Sequence, residues 1–198
     1  MGKRGSSTET KMHIAMTLKE MLTNLPLARV KVSSLCKQAE VSRTTFYDYF
    51  QDVFAVATWL WDHLVSESLY QMGLSINHFD AHVKTFYSLL EYRDFFLHVF
   101  KSKDVNSVFE HGSRVVKKYM IENASKNAGR TFTDFEMLQI EFRNAGAAHT
   151  TKVWVLNGMN EPPEEMARLF QGFTPQFLID YLEVPSKTRP YNPVSCPT

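Results

Sequence analysis

The chain has 198 residues, 44% hydrophobic and 13% aromatic, which is enough apolar material for one compact unit or two small modules sharing a core. A formal net charge of +1 neither proposes nor excludes a nucleic-acid partner, so any basic surface must be local. Cys36 and Cys196 lie too far apart in sequence to form a disulfide framework or a metal-ligand pattern. The longest near-apolar run, Val53 to Trp61, falls well short of the roughly 20 residues a bilayer span needs. With no apolar signal stretch in residues 1–7, a reducing cytoplasmic setting is expected, with no membrane partner.

Taken in chain order, almost every segment carries a helical period. Ile14, Leu18, Met21, Leu22 and Leu25 form one stripe of an amphipathic helix that Thr8 or Thr10 can cap and Pro26 stops. Two short helical pieces follow, about 33–39 and 43–49, with three residues between them. Asp52 then opens a helix expected to run to about Met72. It is apolar on two sides, with Val53, Val56, Leu60 and Leu64 on one and Phe54, Trp61 and Val65 on the other. A helix apolar on two sides is packed on two sides, so it reads as a connector between an N-terminal head and a C-terminal body.

In the body, Val83, Phe86, Tyr87 and Leu90 mark one helix, which Phe95, Phe96, Val99 and Phe100 continue or follow with another. Val108, Phe109, Val115, Val116, Tyr119 and Met120 mark the next, ending at a polar loop over 125–130. Phe135, Leu138, Phe142, Ala145, His149, Val153 and Leu156 trace a helix of about six turns, broken between Gly158 and Pro163. A last helix opens at Pro162 or Pro163, with Glu164 and Glu165 where the helix dipole favours negative charge, and it shows Met166, Leu169, Phe170, Phe173 and Phe177. From Val184 onward, four prolines in fifteen residues read as a disordered tail. The fold class is all-α, with a three-helix head over 1–52, a body over 53–183 and a tail over 184–198.

The most informative stretch runs from Val32 to Phe50. Leu35, Ala39, Val41, Phe46 and Phe50 can share a small core. Ser42 is placed to accept from the backbone N–H of Thr44 or Thr45 as an N-cap. What remains on the second short helix is Arg43, Thr44, Thr45, Tyr47, Asp48 and Tyr49. These are side chains that read base edges or bind phosphate: arginine on guanine, aspartate on cytosine N4, threonine and tyrosine on thymine methyls, hydroxyls on phosphate oxygens. A plain surface helix of a bundle is the competing reading of composition alone.

From Ala39 to Phe50 the chain reads Ala-Glu-Val-Ser-Arg-Thr-Thr-Phe-Tyr-Asp-Tyr-Phe. This resembles the recognition motif of the tetracycline-repressor (TetR) family: alanine, glycine, valine, serine, two variable residues, threonine, a large apolar residue, tyrosine, any residue, histidine or tyrosine, then phenylalanine. The resemblance implies an all-helical homodimer with two DNA-binding heads and a body for dimerisation and ligand binding. Carried over, it implies that Arg43, Thr44 and Asp48 face bases and that Thr45, Tyr47 and Tyr49 hold the backbone or thymine methyls. It adds Ser33 at the start of the preceding helix, with Lys37 among the basic groups that serve the duplex.

Three positions depart from the pattern. Glu40 replaces the turn glycine, where a positive φ is expected. Lys31 stands where a threonine often starts the second helix, and Val53 stands where a lysine often meets a phosphate. Met1 to Asp62 carries eight Lys or Arg against six Asp or Glu, a thin electrostatic footprint. Lys3, Arg4, Lys11, Lys37 and Arg43 would supply most of it.

The segment from Ala147 to Phe170 is similar to a C-terminal type in the same family, one branch of which regulates dihydroxyacetone utilisation. A tryptophan precedes a glycine, and Pro-Glu-Glu-Met opens the last helix. The last two helices are expected to dimerise through Ala145, Ala148, Trp154, Met166, Leu169, Phe170 and Phe173, with ordinary core packing as the alternative. A ligand pocket is expected among Phe86, Tyr87, Phe96, Phe100, Phe109, Phe142 and His149, with Phe95, His98 and His111 nearby.

No catalytic or metal motif is present and no cofactor is implied. The expected function is a ligand-responsive repressor whose partners are double-stranded DNA, a second copy of itself and a small-molecule effector. The alternative is a TetR-like protein-interaction or co-activator protein with weakened DNA binding.

Overall fold

The computed structural model describes residues 7–101 and 108–183. Among them the regular structure is helical: α1 Ser7–Leu22, α2 Val32–Gln38, α3 Arg43–Tyr49, α4 Val53–Val65, α5 His78–Glu91, α6 Arg93–Phe100, α7 Val108–Ala128, α8 Asp134–Leu156, α9 Pro163–Gly172 and α10 Gln176–Leu182. One isolated bridge, Met72 to Ile76, is the sole β pairing among the described residues. The expected tail over 184–198, and Lys3 and Arg4, lie outside the described residues.

Local chemistry fixes most boundaries. Asp52 accepts from Ala55 N at 2.8 Å and opens α4. Asn77 does the same for α5 through Asp80 N at 2.8 Å. Thr133 and Glu136 form a reciprocal capping box at the start of α8. Pro163 sits in the first turn of α9, followed by Glu164 and Glu165.

Three boundaries differ from the sequence reading. The connector α4 stops at Val65 instead of continuing to about Met72. Ser66 and Ser68 turn their hydroxyls back onto the carbonyls of His63 and Val65, and the chain leaves the helix for a short 3-10 turn over Leu69–Gln71. α7 runs through the segment read as a polar loop, as far as Ala128. The last helix is two: Pro175 breaks it, and α10 starts afresh at Gln176.

One contiguous core runs from Ile14 on α1 to Leu182 on α10. α4 buries Val53, Val56, Ala57, Leu60, Trp61 and Val65, packing on α1 to one side and α7 to the other. Its two-sided apolar pattern is thus filled by head and body together. α5 lies along α9, and α10 lies along α7. Trp154 closes the α8–α9 corner, its indole N–H donating to the Glu161 carbonyl at 3.1 Å.

Candidate nucleic-acid interface and effector cavity

The head is built around Phe46. Its side chain is fully buried, and Leu35, Cys36, Ala39 and Phe50 are buried in the same core. His13 Nε2 on α1 lies 2.9 Å from the Ala39 carbonyl, holding the turn between α2 and α3 against the first helix. The Ser42 hydroxyl accepts from Thr45 N at 2.9 Å and caps α3. Glu40 takes a left-handed φ of 52°, as the turn position demands. Lys31 precedes α2 without a side-chain cap.

With Phe46 and Phe50 turned inward, the rest of α3 faces out. Arg43, Thr44, Tyr47 and Asp48 are exposed, and Thr45 and Tyr49 are half-buried. Ser33 and Lys37 on α2 are exposed as well. The guanidinium of Arg43 lies 5.9 Å from the Tyr47 ring centre, and the Lys11 ammonium 5.7 Å from that of Tyr49. Cations thus stand beside both tyrosines on a short, rigidly seated helix. Val53, where a phosphate-binding lysine was the pattern, is buried.

In the body, a cavity of about 60 Å³ opens between α4, α5, α7, α8 and α9, walled largely by aromatic and aliphatic side chains. Of the expected pocket residues, Phe86, Phe100 and Phe109 line it. Phe96 is buried beside Trp61 in the core and does not reach the cavity. Tyr87, Phe142 and His149 are corrected outright, because all three face solvent. Tyr87 instead donates its hydroxyl to Glu164 at 2.7 Å. Phe95 is core, and His111 bonds the Asp62 carboxylate.

The polar heart of the cavity escaped the sequence reading. Arg143 on α8 is buried and donates from Nε to Thr174 Oγ1 at 3.0 Å. Its Nη2 donates to His78 Nε2 and His82 Nε2, each at 3.0 Å. The signal was available, since His78 and His82 stand one helical turn apart on one face of α5. Burial holds the His82 imidazole down to about 3 and pushes that of His78 down as well, so both are neutral at physiological pH.

The expected dimer residues divide. Trp154, Met166 and Phe170 are buried inside the subunit, with Phe86 standing against both Trp154 and Phe170 at ring-centre distances of 5.2 Å. They are core, and a partner cannot reach them. Ala145, Leu169 and Phe173 face solvent and Ala148 is half-buried. The outer side of α8 is an uncovered apolar stripe. Phe135 is 70% exposed, Leu138 67% and Phe142 83%, with Phe173 at 75% beside them. The stripe that traced α8 in the sequence is therefore its solvent face in the single subunit, and its inner face is Ile140, Arg143, Asn144, Trp154 and Val155.

A short capped recognition helix presented on a helical head, joined by a shared helix to an all-α body with a cavity, defines a helix-turn-helix DNA-binding regulator. Residues 77–176 match the family described as a transcriptional regulator C-terminal region of the TetR type. The chain belongs to the TetR family of transcriptional regulators. A 65-residue stretch is 37% identical to the HTH-type transcriptional regulator EthR of Mycobacterium tuberculosis, covering 33% of this chain and 30% of EthR. The matched stretch thus spans less than a third of that relative's length.

Among solved structures, the fold is similar to the dihydroxyacetone kinase operon activator DhaS (TM-score 0.61, 19% identity, 89% of this chain and 97% of that one). It is also similar to the fatty acid degradation regulator FadR from Bacillus halodurans (TM-score 0.52, 16% identity, 89% and 97%). The TetR family repressor AlkX from a Dietzia strain aligns at TM-score 0.52 and 14% identity, over 86% and 98%. At these identities the likeness is one of fold.

Proposed function

We propose that the protein is a homodimeric, effector-responsive repressor, with a DNA-reading head over 1–52 and an effector-binding, dimerising body over 53–183. The observation that carries the DNA reading is the outward face of α3, where Arg43, Thr44 and Asp48 are free to meet base edges while Phe46 anchors the helix from behind. Thr45, Tyr47 and Tyr49, with Ser33 and Lys37 on α2, serve the phosphates.

Two copies joined through the exposed stripe of α8 together with Leu169 of α9 and Phe173 just after it would cover Phe135, Leu138, Phe142 and Phe173, a patch too apolar to leave in water. Their two recognition helices would enter successive major grooves about 34–36 Å apart. An effector in the body cavity would touch Trp61 of α4, the helix that also packs on α1. Binding there biases the placement of the heads, with a coupling of about 1–3 kcal/mol that is reciprocal between DNA and effector.

Selection of random duplexes by the purified protein tests the reading. A pseudo-palindromic consensus with half-sites about one helical turn apart is expected. Absence of any enriched sequence would favour a second reading, a TetR-like protein that docks another protein; the negative Glu40 and the buried Val53 are what favour it.

A further inference from the structure

We propose that the body cavity takes a small organic anion, a carboxylate on a compact apolar body, with Arg143 as its counter-ion. This rests on the reading of the body as the effector-binding unit and names the chemistry of what it binds.

Arg143 is a buried cation whose partners are all neutral. Its Nε meets a hydroxyl and its Nη2 meets two imidazole nitrogens. His82 Nδ1 donates to the His78 carbonyl at 2.7 Å, so its Nε2 has no proton and accepts. His78 Nε2 likewise accepts from the guanidinium, leaving its Nδ1 buried without a partner. The two imidazoles therefore orient the guanidinium without neutralising it. Among the described residues its Nη1 finds only the Met120 sulfur, at 3.7 Å, a poor acceptor. No carboxylate among the described residues pairs with Arg143, and burial alone lowers its affinity for the proton, to about 10, so it stays charged.

An uncompensated buried charge is costly, and proteins retain one where something else supplies the opposite sign. Among the described residues the cavity lining contains no Asp, Glu or Lys, and its single fixed charge is positive. Around that charge the wall is apolar, including Phe86, Phe100, Phe109, Val116 and Phe170, with the Phe170 ring 5.8 Å from the guanidinium carbon. A carboxylate could place its oxygens on Nη1 and its body against these rings. The volume of about 60 Å³ has room for only a few water-sized groups, which favours a short-chain acid over a ring or a long lipid tail.

Calorimetric titration of the full-length protein with propionate and butyrate, set against propionamide and butyramide, tests this. At least one carboxylate should bind, with its amide about tenfold or more weaker. Arg143→Gln should lower carboxylate affinity about tenfold to a hundredfold. Because Arg143→Gln also disturbs His78 and His82, Val116→Trp provides a second check. It fills the cavity from α7, retains Arg143 and should abolish carboxylate binding. Binding of the amides as tightly as the acids would overturn the anion assignment while leaving an effector cavity intact. No binding of either carboxylate, or inorganic phosphate competing as well as butyrate, would overturn it too. Carboxylate binding that leaves operator affinity unchanged would uphold the anion site and overturn its role as effector site.

Discussion

His111 on α7 grips the carboxylate of Asp62 on α4, its Nε2 lying 2.9 Å from Oδ1 and 3.0 Å from Oδ2. Tyr70 donates its hydroxyl to the same carboxylate, and burial together with that contact pushes the Tyr70 phenol above its ordinary range. Two segments of the chain thus converge on one side chain of the helix shared by head and body. Asp62→Ala should cost about 1–3 kcal/mol, since it strands a part-buried hydroxyl and imidazole. Urea unfolding checks this; the midpoint should fall with the slope unchanged. An unmoved midpoint would show that water replaces the carboxylate without loss.

Assembly and core packing separate in two substitutions. Phe142→Glu places charge in the middle of the exposed stripe and should shift the protein to monomer in sedimentation, while leaving monomer stability nearly unchanged. Trp154→Ala should act in the opposite manner. It empties a buried site against Phe86 and should cost about 3–5 kcal/mol in stability. A Phe142→Glu protein that remains a dimer would move the interface elsewhere.

At the turn of the head, Glu40 holds a left-handed φ of 52° that glycine adopts without steric cost. Glu40→Gly should stabilise the head by about 1 kcal/mol through relief of that strain, and it removes a negative charge from the DNA side. Thermal unfolding and operator affinity should both improve. A less stable variant would mean that the Glu40 side chain contributes contacts worth more than the strain.

The paired imidazoles around Arg143 make a pH prediction. Burial holds the proton affinity of His82 down to about 3, against 6.5 for a free imidazole, and that of His78 lower still. Between those values the unfolded chain binds protons that the folded chain refuses, so stability is fully present above about pH 6.5 and falls as the pH drops toward 3. Each histidine contributes up to about 1.4 kcal/mol per pH unit in that window. Urea melts at pH 7 and pH 5 should show the loss, and His82→Gln should reduce its slope. A pH-independent stability across that interval would place the imidazoles in water.

Much of this was legible beforehand, for physical reasons. The head depends on local signals: Ser42 as a cap, Pro26 as a stop and Phe46 as the inward residue of a seven-residue helix, and these leave few other arrangements. The positive φ at Glu40 followed from the turn that the motif requires. The body was harder to read. Apolar periodicity gives the direction of a stripe but not whether a core or a partner covers it, so Phe142 read as pocket and Trp154 as interface, the reverse of their burial. Arg143 was invisible because arginine on a helix ordinarily faces water. The residues that meet it, His78, His82 and Thr174, come from elements distant in sequence, so no local pattern reveals its inward placement.

Fluorescence anisotropy with the selected operator and its single base-pair variants shows whether the outer face of α3 reads DNA. Arg43→Ala should weaken operator binding by about 1–3 kcal/mol and flatten discrimination at one position, whereas Tyr47→Phe should weaken all sequences alike. Operator affinity unchanged by Arg43→Ala, with every base-pair preference retained, would mean that α3 does not read the operator through Arg43.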